Sequence, residues 1–146
     1  MPVKYLLDTC VVSETAKKSP DKNVVEWLGR QRPEDLYLAW LTVGELQKGI
    51  AKLGNAVKSQ RLTRWLQESV LNVFANRILP VEKDVVAEWG CRCGEAERAG
   101  RRLPQIDSLI AATAVVHKLT LVTRNVRDMR GMGAKLLNPF EATRGR

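Results

Sequence analysis

The stretch "QIDSLIAATAVVHKLTLVTRN" (residues 105–125) changes character once, and that change decides the fold. From Ile106 to Val116 it is small and apolar almost all round, the signature of a helix buried on most of its surface. Pro104 just ahead suits a first helical turn, and "GRR" (100–102) reads as loop. From Leu119 to Thr123 the spacing shortens to a strand, which stops abruptly at polar residues. A buried helix feeding directly into a buried strand is half of a parallel crossover unit. The chain opens with a similar arrangement, "KYLLDTCVVSE" (4–14). There a strand over Val3–Leu7 breaks off at Asp8, with Thr9 beside it, and a brief helix follows around Val11–Ala16.

Working outward, "KKSPDKN" (17–23) is a polar break in which Ser19 or Asp21 can cap the next helix, "VVEWLGRQ" (24–31). "LYLAWLTV" (36–43) reads as a second strand. From Thr42 the apolar residues Val43, Leu46, Ile50 and Leu53 fall near helical spacing, with Gly54 as the stop. Residues 57–74 continue helically, "RILPVEKD" (77–84) holds a very short strand, and Val85–Ala99 is another amphipathic helix. "AKLLNPFE" (134–141) holds a last strand, closed by Asn138 and Pro139. Strands separated by helices predict an α/β fold, a short and mostly parallel sheet flanked by helices, with residues 1–146 as one domain.

Composition bounds the function. The 146 residues carry a formal net charge of +8, which favours polyanionic or acidic partners. No apolar run is long enough to span a membrane, and "MPVKYLLDTCVV" lacks the features of a signal peptide, so a cytoplasmic protein is expected. Cys10, Cys91 and Cys93 are too few and too poorly spaced for a disulfide framework or a zinc site. His117 is the only histidine, so a paired-histidine ribonuclease mechanism is excluded. It sits at a helix end, where capping is the plainer role. Trp27, Trp40, Trp65 and Trp89 fall on apolar faces and read as core or interface.

In an open α/β sheet, sites form beyond the carboxyl ends of the strands. Asp8 stands at one such end, and Thr123, Asn125 and Asp128 at another. Glu45 lies near the start of the helix after the second strand, and Asp107 opens the apolar helix. Each has a local explanation as a cap or a solvated acid, but together they can meet on one rim. Carboxylates brought that close repel unless protonated or bridged by a cation. Oxygen donors of this kind suit Mg²⁺ or Mn²⁺, which can activate water against a phosphodiester. Basic residues nearby (Lys17, Lys18, Arg101, Arg102, Arg124, Arg127, Arg130) can steer an anionic backbone toward that centre.

"LLDTCVVSE", "LTVGELQKGI", "QIDSLIAATAVVHKLTLVTRN" and the late "NPF" together resemble PIN-domain ribonucleases, most of all VapC- and FitB-like toxins of bacterial toxin–antitoxin pairs. The resemblance runs from about residue 3 to 140. It implies a three-layer fold and metal-dependent endonucleolytic cleavage of RNA with Mg²⁺ or Mn²⁺. Asp8, Glu45 and Asp107 match the typical acids. Asp8 and Asp107 would ligate the metal directly, and Glu45 would complete the pocket through a water or by orienting the nucleophile. Thr123 matches the hydroxyl residue after the fourth strand. The fourth acid is Asn125 by alignment and Asp128 by chemistry. Cys10 stands where relatives carry Asn or Ser, and a thiol supports Asp8 less well. The resemblance further implies a cognate antitoxin laid across the groove, homodimers, a toxin–antitoxin hetero-oligomer, and promoter DNA bound only through the antitoxin. The competing reading is a catalytically weak RNA-binding or scaffold module on the same fold, and the neutral Asn125 is the feature in its favour. A phosphoacceptor role for Asp8 ranks last, because no second acid stands beside it.

Overall fold

The computed structural model describes residues 2–142. Asp8 shows at once how sequence becomes structure. Its extended backbone (φ −73°, ψ 160°) ends strand β1 (Tyr5–Leu7), and its side chain accepts from the Thr9 amide as the cap of helix α1 (Thr9–Glu14). The helix therefore starts two residues earlier than the apolar pattern predicts. Asp21, not Ser19, caps α2 (Lys22–Gly29), accepting from the amides of Asn23 and Val24.

Strand β2 (Leu36–Ala39) is half the length expected from "LYLAWLTV", and helix α3 (Trp40–Ala51) starts directly after it. The reason lies in the ladder. Leu36 and Tyr37 pair with β1, and Leu38 and Ala39 pair with β3 (Ile78–Leu79). Beyond Ala39 no strand pairing continues, and the 3.6-residue spacing takes over. The long helical segment is α4 (Ala56–Trp65) running into a π-helical turn over Leu66–Leu71, which turns Leu66 and Val70 into the core. Helix α5 (Lys83–Arg98), which contains Cys91 and Cys93, precedes the buried helix α6 (Gln105–Val116), with His117 at its C-cap. Strand β4 (Thr120–Val122), the short helix α7 (Val126–Met129) and strand β5 (Lys135–Leu137) complete the described chain.

The five strands are parallel throughout and ordered β3-β2-β1-β4-β5. Alternate side chains go to opposite faces, so Leu7, Leu36, Leu38 and Val122 pack under Val11, Val24, Trp27, Leu46 and Ile50. Leu6, Ala39 and Leu121 pack under Ile110, Ala111 and Ala114 of α6, with Met129 and Met132. These are the three layers the fold class called for. Trp27 is core, meeting Tyr5 edge to face at 4.9 Å, whereas Trp40 is 48% exposed. The order reverses at β1, because the chain builds outward to β3 and then returns to lay β4 on the other side of β1. The crevice at the carboxyl ends of β1 and β4 is thus the switch point where such sheets place their sites.

Candidate active site at the carboxyl ends of β1 and β4

Asp8 leaves β1 with its amide still in the sheet, donating to the Val122 carbonyl at 2.9 Å. Asp8 is 3% exposed. Oδ1 accepts from the Thr9 amide at 2.8 Å, and Oδ2 accepts from the Thr123 hydroxyl at 2.7 Å. Thr123 Oγ1 in turn accepts from the Asn125 amide at 3.0 Å, so the loop after β4 orients the hydroxyl that orients Asp8. Removing that hydroxyl leaves a buried carboxylate oxygen short of a donor. With Asp8 read as a ligand to a divalent cation, Thr123→Val is expected to weaken that affinity by roughly 10–100-fold, as loss of a ligand's supporting hydrogen bond does. Titration calorimetry with Mn²⁺ measures it.

Cys10 joins the same network more loosely. Its Sγ lies 3.8 Å from both Asp8 Oδ2 and Thr123 Oγ1, and accepts from the Arg124 amide at 3.4 Å. Burial, with the Asp8 charge adding to it, pushes the Cys10 thiol up, so it stays protonated as a weak donor at neutral pH.

Glu45, in the second turn of α3, is half-buried and accepts from the Thr9 hydroxyl at 2.5 Å. Thr9 thus joins the two ends of the site: its amide holds Asp8 and its hydroxyl holds Glu45. The sequence marks Thr9 only by its place after Asp8, and its bridging role was missed. Asp107, in the first turn of α6, is half-buried. A helix N-terminus favours a negative charge there. Even so its carboxyl is held above the usual range, first by burial and then by the charges of Asp8, Glu45 and Asp128. Three carboxylates from separate elements therefore act on a fourth. Asp128 is exposed on α7. Asn125 is exposed at the cap of that helix, where its side chain caps nothing and only its amide enters the network.

Among the described residues, no three His, Cys, Asp or Glu side chains converge as a ready-made metal cage. The donor set still fits a hard divalent cation. Mg²⁺ is commonly held through one or two carboxylates and keeps several waters, and the mutual repulsion acting on Asp107 is what a cation would relieve.

A second buried acid went unread in the sequence. Glu14, 5% exposed, accepts from the Asp21 amide at 2.8 Å, pairs with Lys17 at 2.9 Å and lies 3.8 Å from Arg124 Nη2. Arg124 also stacks on Phe140 at 3.7 Å, and the Asn23 side chain donates to the Phe140 carbonyl. The late "NPF" thus closes over the loop that carries Thr123. The Lys17 hydrogen bond holds the Glu14 carboxyl below its ordinary 4.5. A depressed carboxyl stabilises the fold above its unfolded value and loses that contribution as pH falls through the folded one. Thermal midpoints measured down from pH 7 should therefore drop less steeply below about 4.5 in Glu14→Gln than in the parent.

Comparison with known proteins places the chain in a family and matches its fold. The PIN domain family model matches residues 5–133. The chain belongs to the PIN-domain family. It is 38% identical to the toxin FitB of Neisseria gonorrhoeae over 92% of its own length and 97% of that protein's. It is 34% identical to the VapC ribonuclease Y4jK of Sinorhizobium fredii over 93% and 97%. The crystal structure of FitAcB from Neisseria gonorrhoeae superposes with a TM-score of 0.87 at 38% identity, over 94% of this chain and 99% of that one.

Proposed function

We propose that this protein is the toxin of a bacterial toxin–antitoxin pair, an endoribonuclease that hydrolyses RNA with Mg²⁺ or Mn²⁺ held between Asp8 and Asp107. The observation that carries the reading is the gathering of acids from separate elements at the switch point of a basic protein. Thr9 ties Asp8 to Glu45, and Asp107, raised first by burial, also feels the charges of Asp8, Glu45 and Asp128. Relatives at 34–38% identity named as a ribonuclease and a toxin support it, as does a FitAB complex bound to DNA at 34% identity.

A bound cation would neutralise the developing phosphate charge and lower the pKa of a coordinated water. The side chains do the rest. Asp8 is locked by Thr9 and Thr123, so it meets the site in one orientation. Glu45, with one oxygen engaged by Thr9, has its other free to accept a hydrogen bond from the attacking water and align it. Asp107 stands across the crevice on the end of α6. Water adds across the P–O bond, leaving one new phosphate end and one hydroxyl. The partners expected on this reading are an antitoxin laid across the site, a second copy of the chain, and promoter DNA reached through the antitoxin.

The test is digestion of total RNA by the purified, antitoxin-free chain. Discrete fragments should form with Mn²⁺ or Mg²⁺, vanish with EDTA and return when metal is restored. Cleavage that persists in EDTA would overturn the metal-dependent site.

A further inference from the structure

At the amino ends of the strands, on the rim of the sheet opposite the acids, lies a hollow of about 560 Å³. Lys4, His117, Lys118 and Lys135 rim it, with Val115 and Ala134 between them. The lysines come from three separate stretches of chain: Lys4 leads into β1, Lys118 precedes β4 and Lys135 opens β5. The sheet order sets these strands side by side, with Tyr5 paired to Thr120 and Thr120 to Lys135. All three lysines are exposed, and among the described residues none of them forms an ion pair. The register also sets Lys4 beside Asp35, but both oxygens of that carboxylate are engaged by Arg32. Among the described residues no acid lines the hollow.

Lys118 is held there at a conformational cost. Its φ of 57° is left-handed, and among the described residues it is the one non-glycine so placed. The Lys118 amide donates to the Val115 carbonyl and the Leu119 amide to the Ala114 carbonyl, which closes α6 in a turn that usually calls for glycine. A lysine there balances the helix dipole, but Lys4 and Lys135 stand at no helix terminus. What the three share is the hollow.

Resting on the ribonuclease reading above, we infer that this rim is a second RNA-contact site, remote from the acids, which grips the phosphates of a base-paired part of a folded substrate. Unpaired lysines in a row, with no acid among them, suit a row of phosphates. Among the described residues no Phe, Tyr or Trp lines the hollow, so it offers no platform for stacking unpaired bases. A duplex turns its phosphates and hydroxyls outward and is held by shape and backbone. The two sites stand at opposite ends of α6. Its 12 residues run from the turn holding Asp107 to the His117 cap, about 18 Å at ~1.5 Å per residue. A short RNA seated at the acids falls short of the lysines, and a folded one reaches both.

The test variant is Lys4→Gln/Lys118→Asn/Lys135→Gln, with asparagine chosen because it tolerates the left-handed backbone. All three positions are exposed, so its thermal midpoint should stay within a few degrees of the parent's. Two RNAs are compared. One is a hairpin of about 16 base pairs, the length a duplex-binding domain contacts, with a single-stranded tail. The other has about four nucleotides, ~14 Å at ~3.4 Å each. Hairpin binding in EDTA is followed by fluorescein anisotropy over a salt series. In the variant the slope of log affinity against log salt should become shallower by about 2.7, three duplex phosphate contacts at about 0.9 each. In Mn²⁺ the KM for the hairpin should rise several-fold with kcat retained, while both constants for the short RNA stay at the parent's values. An unchanged slope and hairpin KM, in a parent that cleaves, overturns the second site and leaves the ribonuclease reading intact. Equal losses on both RNAs place the defect at the acids and overturn it too. A parent that binds the hairpin through these lysines but cleaves neither RNA overturns the ribonuclease reading and keeps the site. A DNA duplex of the same sequence that displaces the hairpin better than unlabelled hairpin does makes the rim a DNA contact and overturns the proposal.

Discussion

Asp107→Asn is expected to lower metal-dependent RNA cleavage by more than roughly 100-fold, since loss of a ligand's supporting partner alone reaches 10–100-fold. The same substitution should leave the metal-free protein more thermally stable at neutral pH than the parent. Burial and the charges of Asp8, Glu45 and Asp128 hold the Asp107 carboxyl above its ordinary 3.8. A carboxyl with a raised folded pKa favours the fold below its unfolded value and loses that contribution as pH rises through the folded one. At neutral pH it is therefore a like charge held among like charges, and a neutral amide of the same shape removes the repulsion. Metal reverses the comparison. A ligand at a hundred times its Kd stabilises by about 2.7 kcal/mol, and only the parent retains the full carboxylate set. Thermal midpoints with EDTA and with Mn²⁺ check both halves. A variant less stable than the parent in EDTA would make Asp107 structural, and one equally stabilised by Mn²⁺ would remove Asp107 from the metal site.

Ile110→Ala is expected to cost about 2–5 kcal/mol, from lost burial and the cavity left behind. Ile110 is fully buried between α6 and the sheet, in the cluster of Leu6, Leu121, Met129 and Met132. Against a total stability of roughly 5–15 kcal/mol this is a large fraction. At about 2–4 °C per kcal/mol for a chain of this size, the midpoint should fall by roughly 4–20 °C. Ile106→Ala on the same helix, at a position 38% exposed, is the control and should stay within about 0.5 kcal/mol. Equal losses at the two positions would mean that α6 is not seated as described.

How much of this was legible in the sequence can be seen residue by residue. Asp8 was legible because a carboxylate ending an apolar run is a local anomaly. Asp107 was legible because it interrupts a helix that is otherwise apolar. The boundary of β2 was not, because "LYLAWLTV" is apolar on either reading and only the pairing with β1 and β3 ends the strand at Ala39. Glu14 was not, because in "SETAKK" it resembles any solvated acid three residues from a lysine. Its burial comes from the Asp21 turn and Arg124 closing over it. Lys4, Lys118 and Lys135 gave no sign of a shared rim, since only the sheet order sets β1, β4 and β5 side by side.

By itself, then, the sequence determined the alternation of helix and strand, the burial of α6, the basic character of the chain, and which acids stand at element junctions. All of these follow from local periodicity and local composition. The tertiary structure alone decided that the junctions meet. The Thr123 hydroxyl reaches Asp8 across 115 positions, and the Thr9 hydroxyl reaches Glu45 across 36. The first contact exists because the strand order reverses at β1 and sets β4 beside it, and the second because β2, which leads into α3, pairs with β1 on its other edge. That order is settled by how the two faces of the whole sheet are buried, a global balance that no short window of sequence contains.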